Sequence, residues 1–333
     1  MVILFKHKPS ILATSSVVGP LEGKSVFKSY FDYVSDDEFF NLKTHEQAQA
    51  KIIHLAWDDL LKKSELKEKD IEYFLSGDLV NQMTPTNLAA RELATAFIGL
   101  FSACATSVSS LIVAALLTEL GASKHAIAGS SSHHNATERQ FRYPVLYGGQ
   151  KPATAQWTVT AGGYALVGKH KKGMPSIVAA TFGHVIDYEV KDPFHMGGAM
   201  APAAYDTIMR HLEARKQKLD HYDVIMTGDL GKVGLQILKG CFMQTGQSDS
   251  VSVIRDAGAE FYGEDSFFLA GASGAGCSAA VFFSYAMAQF ASGRYKRGLF
   301  VATGALLSPL TFQQGETIPS IAHAVELCVD EGD

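Results

Sequence analysis

The chain has 333 residues, of which 47% are hydrophobic and only 19% charged, with 30 glycines. Globular chains carry about 25% charged residues, so this composition describes a protein with a large buried core and excludes overall disorder. The net charge of -5 argues against a broad nucleic-acid-binding face, which needs a surplus of lysine and arginine, and leaves room only for a local basic pocket.

Met1 to Pro20 has no long apolar run after its lysines, so no secretory signal is expected. The four cysteines, Cys104, Cys241, Cys277 and Cys328, are far apart and form no CxxC pair. That spacing speaks against a zinc ribbon or a thioredoxin motif, and the expected compartment is the reducing cytoplasm.

Asp70 to Leu79 reads as an apolar strand ending in Gly77-Asp78-Leu79. Leu93 to Thr118 follows, 26 residues without a charge, long enough to span a bilayer. Its serines and threonines fit a buried strand, a small-residue turn at Ser102-Ala-Cys-Ala-Thr-Ser107 and a buried helix better. A strand at Ala126–Ser130 leads into a polar stretch, residues 130–151, rich in histidine, arginine and tyrosine. His170 to Pro175 reads as a turn. Gly197, Gly198 and Pro202 suggest a turn entering a helix over Tyr205–His211. Asp223 to Leu230 repeats the first pattern, an apolar strand ending in Gly228-Asp229-Leu230. Ser266 to Gly293, 28 uncharged residues, is broken by Gly271, Gly274 and Gly276 and reads again as strand, turn and helix. Leu299–Thr303 is the next apolar strand.

One strand–helix–strand unit is therefore used twice, with helices covering a parallel sheet. The halves divide at 1–170, with a long loop at 130–152, and 171–333. In the first half Cys104 stands at a strand-to-helix turn. A helix start has free N–H groups and a positive dipole end, so a thiol there is expected to have a lowered pKa. The same place suits an anion, and a small structural cysteine would also fit it. A nucleophilic cysteine needs a base within reach, yet the matching turns of the second half hold neither histidine nor asparagine, only Asp229 and Lys232. The 130–151 stretch places His133, His134, Arg139, Arg142, Tyr143, Tyr147 and Lys151 close together. Arginine pairs carboxylates and tyrosine stacks on flat rings, which suits a planar aromatic acid; a solvated loop or a dimer contact fits equally. His133 and His134 are adjacent, which is not metal-ligand spacing on a strand, and no metal or cofactor motif is read.

The duplicated unit with a cysteine at its turn resembles the thiolase fold, shared with ketoacyl synthases. Ser131-Ser-His133, Glu138-Arg-Gln-Phe-Arg-Tyr-Pro144, Tyr147-Gly-Gly-Gln-Lys-Pro152, Met200-Ala-Pro-Ala-Ala204 and Ala302-Thr-Gly-Ala-Leu-Leu-Ser-Pro309 are similar to the stage V sporulation protein AD family. The resemblance implies an α/β fold of duplicated βαβ halves in a five-layered αβαβα core, and a homodimer. It implies binding of dipicolinic acid, free or as a calcium chelate, with uptake into the developing spore. The expected partners are membrane proteins of the same sporulation operon, at the inner spore membrane. Cys104 falls at the thiolase nucleophile position. Gly228-Asp229 stands where condensing enzymes have a histidine, and Ser273-Gly274 where they have an asparagine. The expected site is therefore a relic active site used for binding, formed by Cys104, His133, Arg139, Arg142, Tyr143, Asp229 and Ser273, with no catalytic role. A cysteine-dependent acyl-transfer enzyme of the thiolase or ketoacyl synthase type is the alternative.

Overall fold

The computed structural model describes residues 1–140, 152, 155–246 and 248–329, except for the side chains of residues 248 and 249. The first half runs β1 (Val2–Leu4), β2 (Ser10–Val18), β3 (Tyr33–Val34), α1 (His45–Ser64), β4 (Tyr73–Ser76), α2 (Thr84–Ala90) and β5 (Ala96–Gly99). It continues through α3 (Thr106–Glu119), β6 (His125–Ser132), α4 (His134–Glu138), β7 (Trp157–Thr158) and β8 (Ala161–Gly168). The second half runs β9 (Ser176–Thr181), α5 (Met196–Arg215), β10 (Val224–Thr227), α6 (Gly231–Gln244), β11 (Ile254–Asp256), α7 (Ala257–Glu260) and β12 (Ala272–Ser273). Then α8 (Ala275–Val281) passes through a π turn, Phe282–Ala286, into α9 (Met287–Ala291), followed by β13 (Arg297–Ala305), α10 (Pro309–Gln313) and β14 (Ser320–Cys328).

The strand order makes the duplication explicit. One sheet runs β5-β4-β6-β8-β2 and the other β11-β10-β13-β14-β9. Numbered within each half, both orders are third, second, fourth, fifth, first. The pairing senses also agree. In each half the second strand is parallel to the third and fourth, and the fifth is antiparallel to the fourth and first. The expected parallel sheet is therefore mixed. The antiparallel members, β8 and β14, each lie between two buried neighbours and close the half on its first strand. The two sheets meet where Ser10 pairs with Ser176, whose hydroxyls lie 2.8 Å apart.

The helices form three layers. α1 and α2 cover the outer face of the first sheet, and α5 and α6 that of the second. Between the sheets lie α3 and α8, which touch each other and strands of the opposite half. This is the five-layered αβαβα arrangement. Thr44 caps α1, accepting from the Gln47 N–H at 3.2 Å, and Ala48, Ile52, Ala56 and Leu60 give it one buried stripe. α3 has no exposed polar face, so its hydroxyls bond back along the helix. Ser109 donates to the Thr106 carbonyl, Ser110 to Ser107 and Thr118 to Ala114. Burial between two sheets therefore explains the uncharged run that has the length of a membrane span. Among the described residues no helix is long and apolar enough to cross a membrane.

The central layer is thin because it is built from small residues. A Cβ added to Gly163 on β8 would lie 2.2 Å from the Ala279 carbonyl oxygen of α8, so that strand and helix meet backbone to backbone. Three local expectations change. The strand in the first uncharged run, β5, is an edge strand with Ala96 and Gly99 exposed, because β4 pairs it on one side only. In the second run only Ala272–Ser273 is extended, and the sheet strand of that unit, β11, precedes the run. Gly197, Gly198 and Pro202 lie inside α5. Gly197 is needed there because an added Cβ would come within 2.3 Å of the Leu230 carbonyl oxygen beside α6.

Candidate functional site

Between β5 and α3 the chain makes a tight turn that presents Cys104. Ala103 adopts φ 48°, a left-handed conformation uncommon for a residue with a Cβ. The turn is held from several sides. Thr106 Oγ1 donates to the Ala103 carbonyl at 2.7 Å and accepts from the Ser102 N–H at 3.1 Å. Strand β13 backs against it, and a Cβ on Gly304 would lie 2.3 Å from the Ser102 carbonyl oxygen. Buried His323 on β14 completes the support. Its Nδ1 accepts from the Gly183 N–H at 3.1 Å, so its Nε2 carries the proton and donates to Ser102 Oγ at 3.2 Å. Burial lowers the His323 pKa to about 4.

Cys104 lines an open pocket with walls from both halves, about 990 Å³ of empty space when the open solvent at its mouth is included. Phe101, Phe194, Met196, Met200, Leu307 and Phe312 make it largely apolar, and Thr158, Ser273, Gln156 and Glu138 supply polar groups. Among the described residues the wall carries no lysine, arginine or histidine. The Glu138 carboxylate accepts from Thr158 Oγ1 at 3.0 Å. Gln156 Nε2 donates to the Asp229 carbonyl at 2.6 Å, tying the wall to the turn after β10.

The thiol does not have the lowered pKa expected at a helix start. Burial pushes it up, and Asp229 adds to this whenever it is ionised. The backbone amides of Gly274 and of Cys104 itself act the other way, with smaller effect. Asp229 is wholly buried behind the pocket. Its own pKa is pushed well up by burial and then by Asp256, against a smaller opposing effect of Ser278. Among the described residues neither Asp229 carboxyl oxygen has a partner at hydrogen-bond geometry, although Ser278 stands beside it.

The duplication supplies a control for Asp229. Its counterpart, Asp78, accepts from Val80 N, Thr86 N and Thr86 Oγ1, at 2.7, 2.9 and 2.5 Å. In the second half the neighbouring Asp256 takes that structural work. It accepts from the N–H groups of Leu230, Gly231 and Ala259 and from Thr227 Oγ1. Burial raises both Asp78 and Asp256 to about 6. Among the described residues Asp229 is thus the one of the three carboxyls with no partner at hydrogen-bond geometry, and it is the one behind Cys104.

A family model described as "Stage V sporulation protein AD (SpoVAD)" matches residues 1–328. The stage V sporulation protein AD of Bacillus subtilis (strain 168) is 42% identical over 322 residues, covering 97% of this chain and 95% of that protein. The chain belongs to the stage V sporulation protein AD family. Solved structures place the fold among thiolase-like condensing enzymes. Xanthomonas campestris OleA superposes with a TM-score of 0.61 at 11% identity, over 98% of this chain and 99% of that one. AbyA1, a tetronic acid condensing enzyme, superposes with a TM-score of 0.61 at 16% identity, over 96% and 99%. At such identities the likeness concerns the fold alone.

In this SpoVAD-family chain the expected site residues do not all meet. Cys104 and Ser273 line the pocket, and Asp229 lies directly behind it. His133 does not reach the pocket. It is fully buried at the end of β6, with Nε2 donating to the Glu38 carbonyl at 3.0 Å, and burial lowers its pKa to about 4. Arg139 turns away to pair with Glu46 at the start of α1. Arg142 and Tyr143 lie outside the described residues. The sequence reading passed over three residues that the structure brings to the site: Glu138 and Gln156 on the pocket wall, and His323 behind the turn. Glu138 lies inside the polar stretch and Gln156 a few residues beyond it, and that proximity was the available signal.

Proposed function

We propose that this SpoVAD-family protein is a non-catalytic binding protein for dipicolinic acid, free or as its calcium chelate, that aids uptake of the acid into the developing spore. In this reading it acts as a homodimer beside membrane proteins of its operon, at the inner spore membrane. The observation that carries the non-catalytic part is the state of the Cys104 thiol. Burial pushes it toward the protonated form, and the carboxyl beside it, Asp229, is buried and likewise pushed up. A thiol without a base is a poor nucleophile, whereas an aromatic-walled pocket at a helix start remains a good seat for a flat acid.

Dipicolinate is a pyridine with two carboxylates. Phe101, Phe194 and Phe312 provide surfaces for the ring. The carboxylates need a cation, and Arg142 is the residue proposed to supply it. It lies four residues beyond Glu138 on the wall, a chain reach of at most about 14 Å. Calorimetric titration with dipicolinic acid, with and without calcium, tests the reading. Saturable binding is expected, weakened about tenfold or more in Arg142→Ala, as for loss of a charged hydrogen bond. Binding should also weaken in Cys104→Ala. No binding at millimolar acid, or turnover of an acyl-coenzyme A thioester that is lost in Cys104→Ser, would overturn it.

A further inference from the structure

Apart from the Cys104 pocket, the fold brings together three side chains that are distant in sequence. They are Glu38, in the segment before α1; His45, the first residue of α1; and His133, at the end of β6. One donor atom from each lies within 4.8 Å of the other two. The two imidazole rings stand 4.9 Å apart, tilted by 39°.

The hydrogen bonding of His133 determines which nitrogen is available. A carbonyl oxygen can only accept, so Nε2, bonded to the Glu38 carbonyl, carries the proton. Nδ1 is left with a lone pair. That atom is buried and has no hydrogen-bond partner among the described residues. Nδ1 of His45 is likewise buried and without a hydrogen-bond partner there. Two unpaired imidazole nitrogens on neighbouring rings are costly to bury unless something else occupies them. The surroundings resemble the outer shell of a metal site. A backbone carbonyl orients the His133 ring, Phe39 stacks on the His45 ring at 4.6 Å, and Asn135 Nδ2 donates to the Glu38 carboxylate.

From this geometry we infer that Glu38, His45 and His133 form a binding site for a transition-metal dication such as Zn²⁺ or Co²⁺. Two imidazoles and one carboxylate suit these borderline ions, whereas calcium takes oxygen ligands almost exclusively. Tetrahedral bonds of about 2.0–2.1 Å place ligand atoms about 3.4 Å apart, so the donors must draw in by about 1.5 Å at most. A fourth position would fall to water. A bound ion would fasten the segment before α1 to the end of β6. Because α4 starts at His134, it would also anchor the short helix whose Thr137 and Glu138 line the Cys104 pocket.

The test uses untagged, chelator-stripped full-length protein titrated with Co²⁺ and followed by visible absorption, with bound Zn²⁺ counted by mass spectrometry after gel filtration. One equivalent of each ion and an intense tetrahedral Co²⁺ band are expected. His45→Gln and Glu38→Gln should each weaken the metal affinity by about tenfold or more. Neither residue is in the core, so both variants should melt at the wild-type temperature without metal, even if His133→Ala fails to fold. Absence of stoichiometric metal would overturn the inference. So would a Co²⁺ spectrum and affinity unchanged in both His45→Gln and Glu38→Gln, which would place the ion elsewhere.

Discussion

Replacing His323 with glutamine should change stability in a way that depends on pH. The folded protein holds the ring neutral, with a pKa of about 4 against about 6.5 for an unconstrained histidine. Protonation would place a donor at Nδ1 against the Gly183 N–H and charge a buried ring. Because the folded pKa is depressed, the neutral ring's stabilisation is complete above pH 6.5 and is lost as pH falls from there toward 4. Between pH 7.5 and 4.5, one such group costs the wild type about 2.5 kcal/mol, at about 1.4 kcal/mol per pKa unit. Glutamine does not titrate, so His323→Gln escapes that loss. At pH 7.5 the variant should be less stable by about 1–3 kcal/mol, for the impaired bonds to Gly183 and Ser102. At pH 4.5 the deficit should vanish or reverse. Urea titrations at the two pH values, followed by the fluorescence of Trp57 and Trp157, measure both differences. A deficit equal at both pH values would refute the argument. It would mean that the ring already carries a proton in the folded state or is solvated.

Other consequences can be checked directly. Iodoacetamide should label Cys104 at pH 7.5 at least about tenfold more slowly than a free thiol, because the thiolate is disfavoured; complete labelling within minutes, seen by peptide mapping, would contradict this. Gly163→Ala should cost about 3 kcal/mol, since the added carbon meets the Ala279 backbone. Gly121→Ala, in open space at φ +71°, should cost only about 1 kcal/mol, so equal melting temperatures for the two variants would count against the packing argument. Asp256→Ala unpairs three N–H groups, while the Thr227 hydroxyl keeps the Arg255 carbonyl, and should cost about 2–4 kcal/mol in urea unfolding. A loss below about 1 kcal/mol would show that water replaces the carboxylate.

The duplication was legible because both halves spell an apolar strand ending in Gly-Asp-Leu, followed by a small-residue turn before an apolar helix. The first and last strands of the first sheet were not. β2 is Ser-Ile-Leu-Ala-Thr-Ser-Ser-Val-Val and β8 is Ala-Gly-Gly-Tyr-Ala-Leu-Val-Gly, and neither shows the alternation or bulk that marks a strand. The polar stretch after Ser130 misled for a related reason. Serine is small, and its hydroxyl can be satisfied by nearby carbonyls, so Ser130 and Ser132 sit fully buried, bonded to the Ala275 and Val159 carbonyls at 2.7 and 2.8 Å. His133 therefore ends a buried strand and is not part of an open loop. Cys104 could be read from its turn. The effect of Asp229 on it, the support from His323 and the meeting of His45 with His133 all depend on side chains far apart in sequence.

The pairing of first strand with last has a consequence for how the chain assembles. Ser10 waits for Gly168, and Ser176 waits for Cys328, before either sheet closes. α3 covers part of the inner face of the first sheet, and the rest, over β8 and β2, stays uncovered until α8, more than a hundred residues later, has been synthesised. Such non-local closure is slow and leaves apolar surface open during translation. Val2–Leu4 pairs across to β9 of the second sheet, so β1 too meets its partner only after the whole first half has been made.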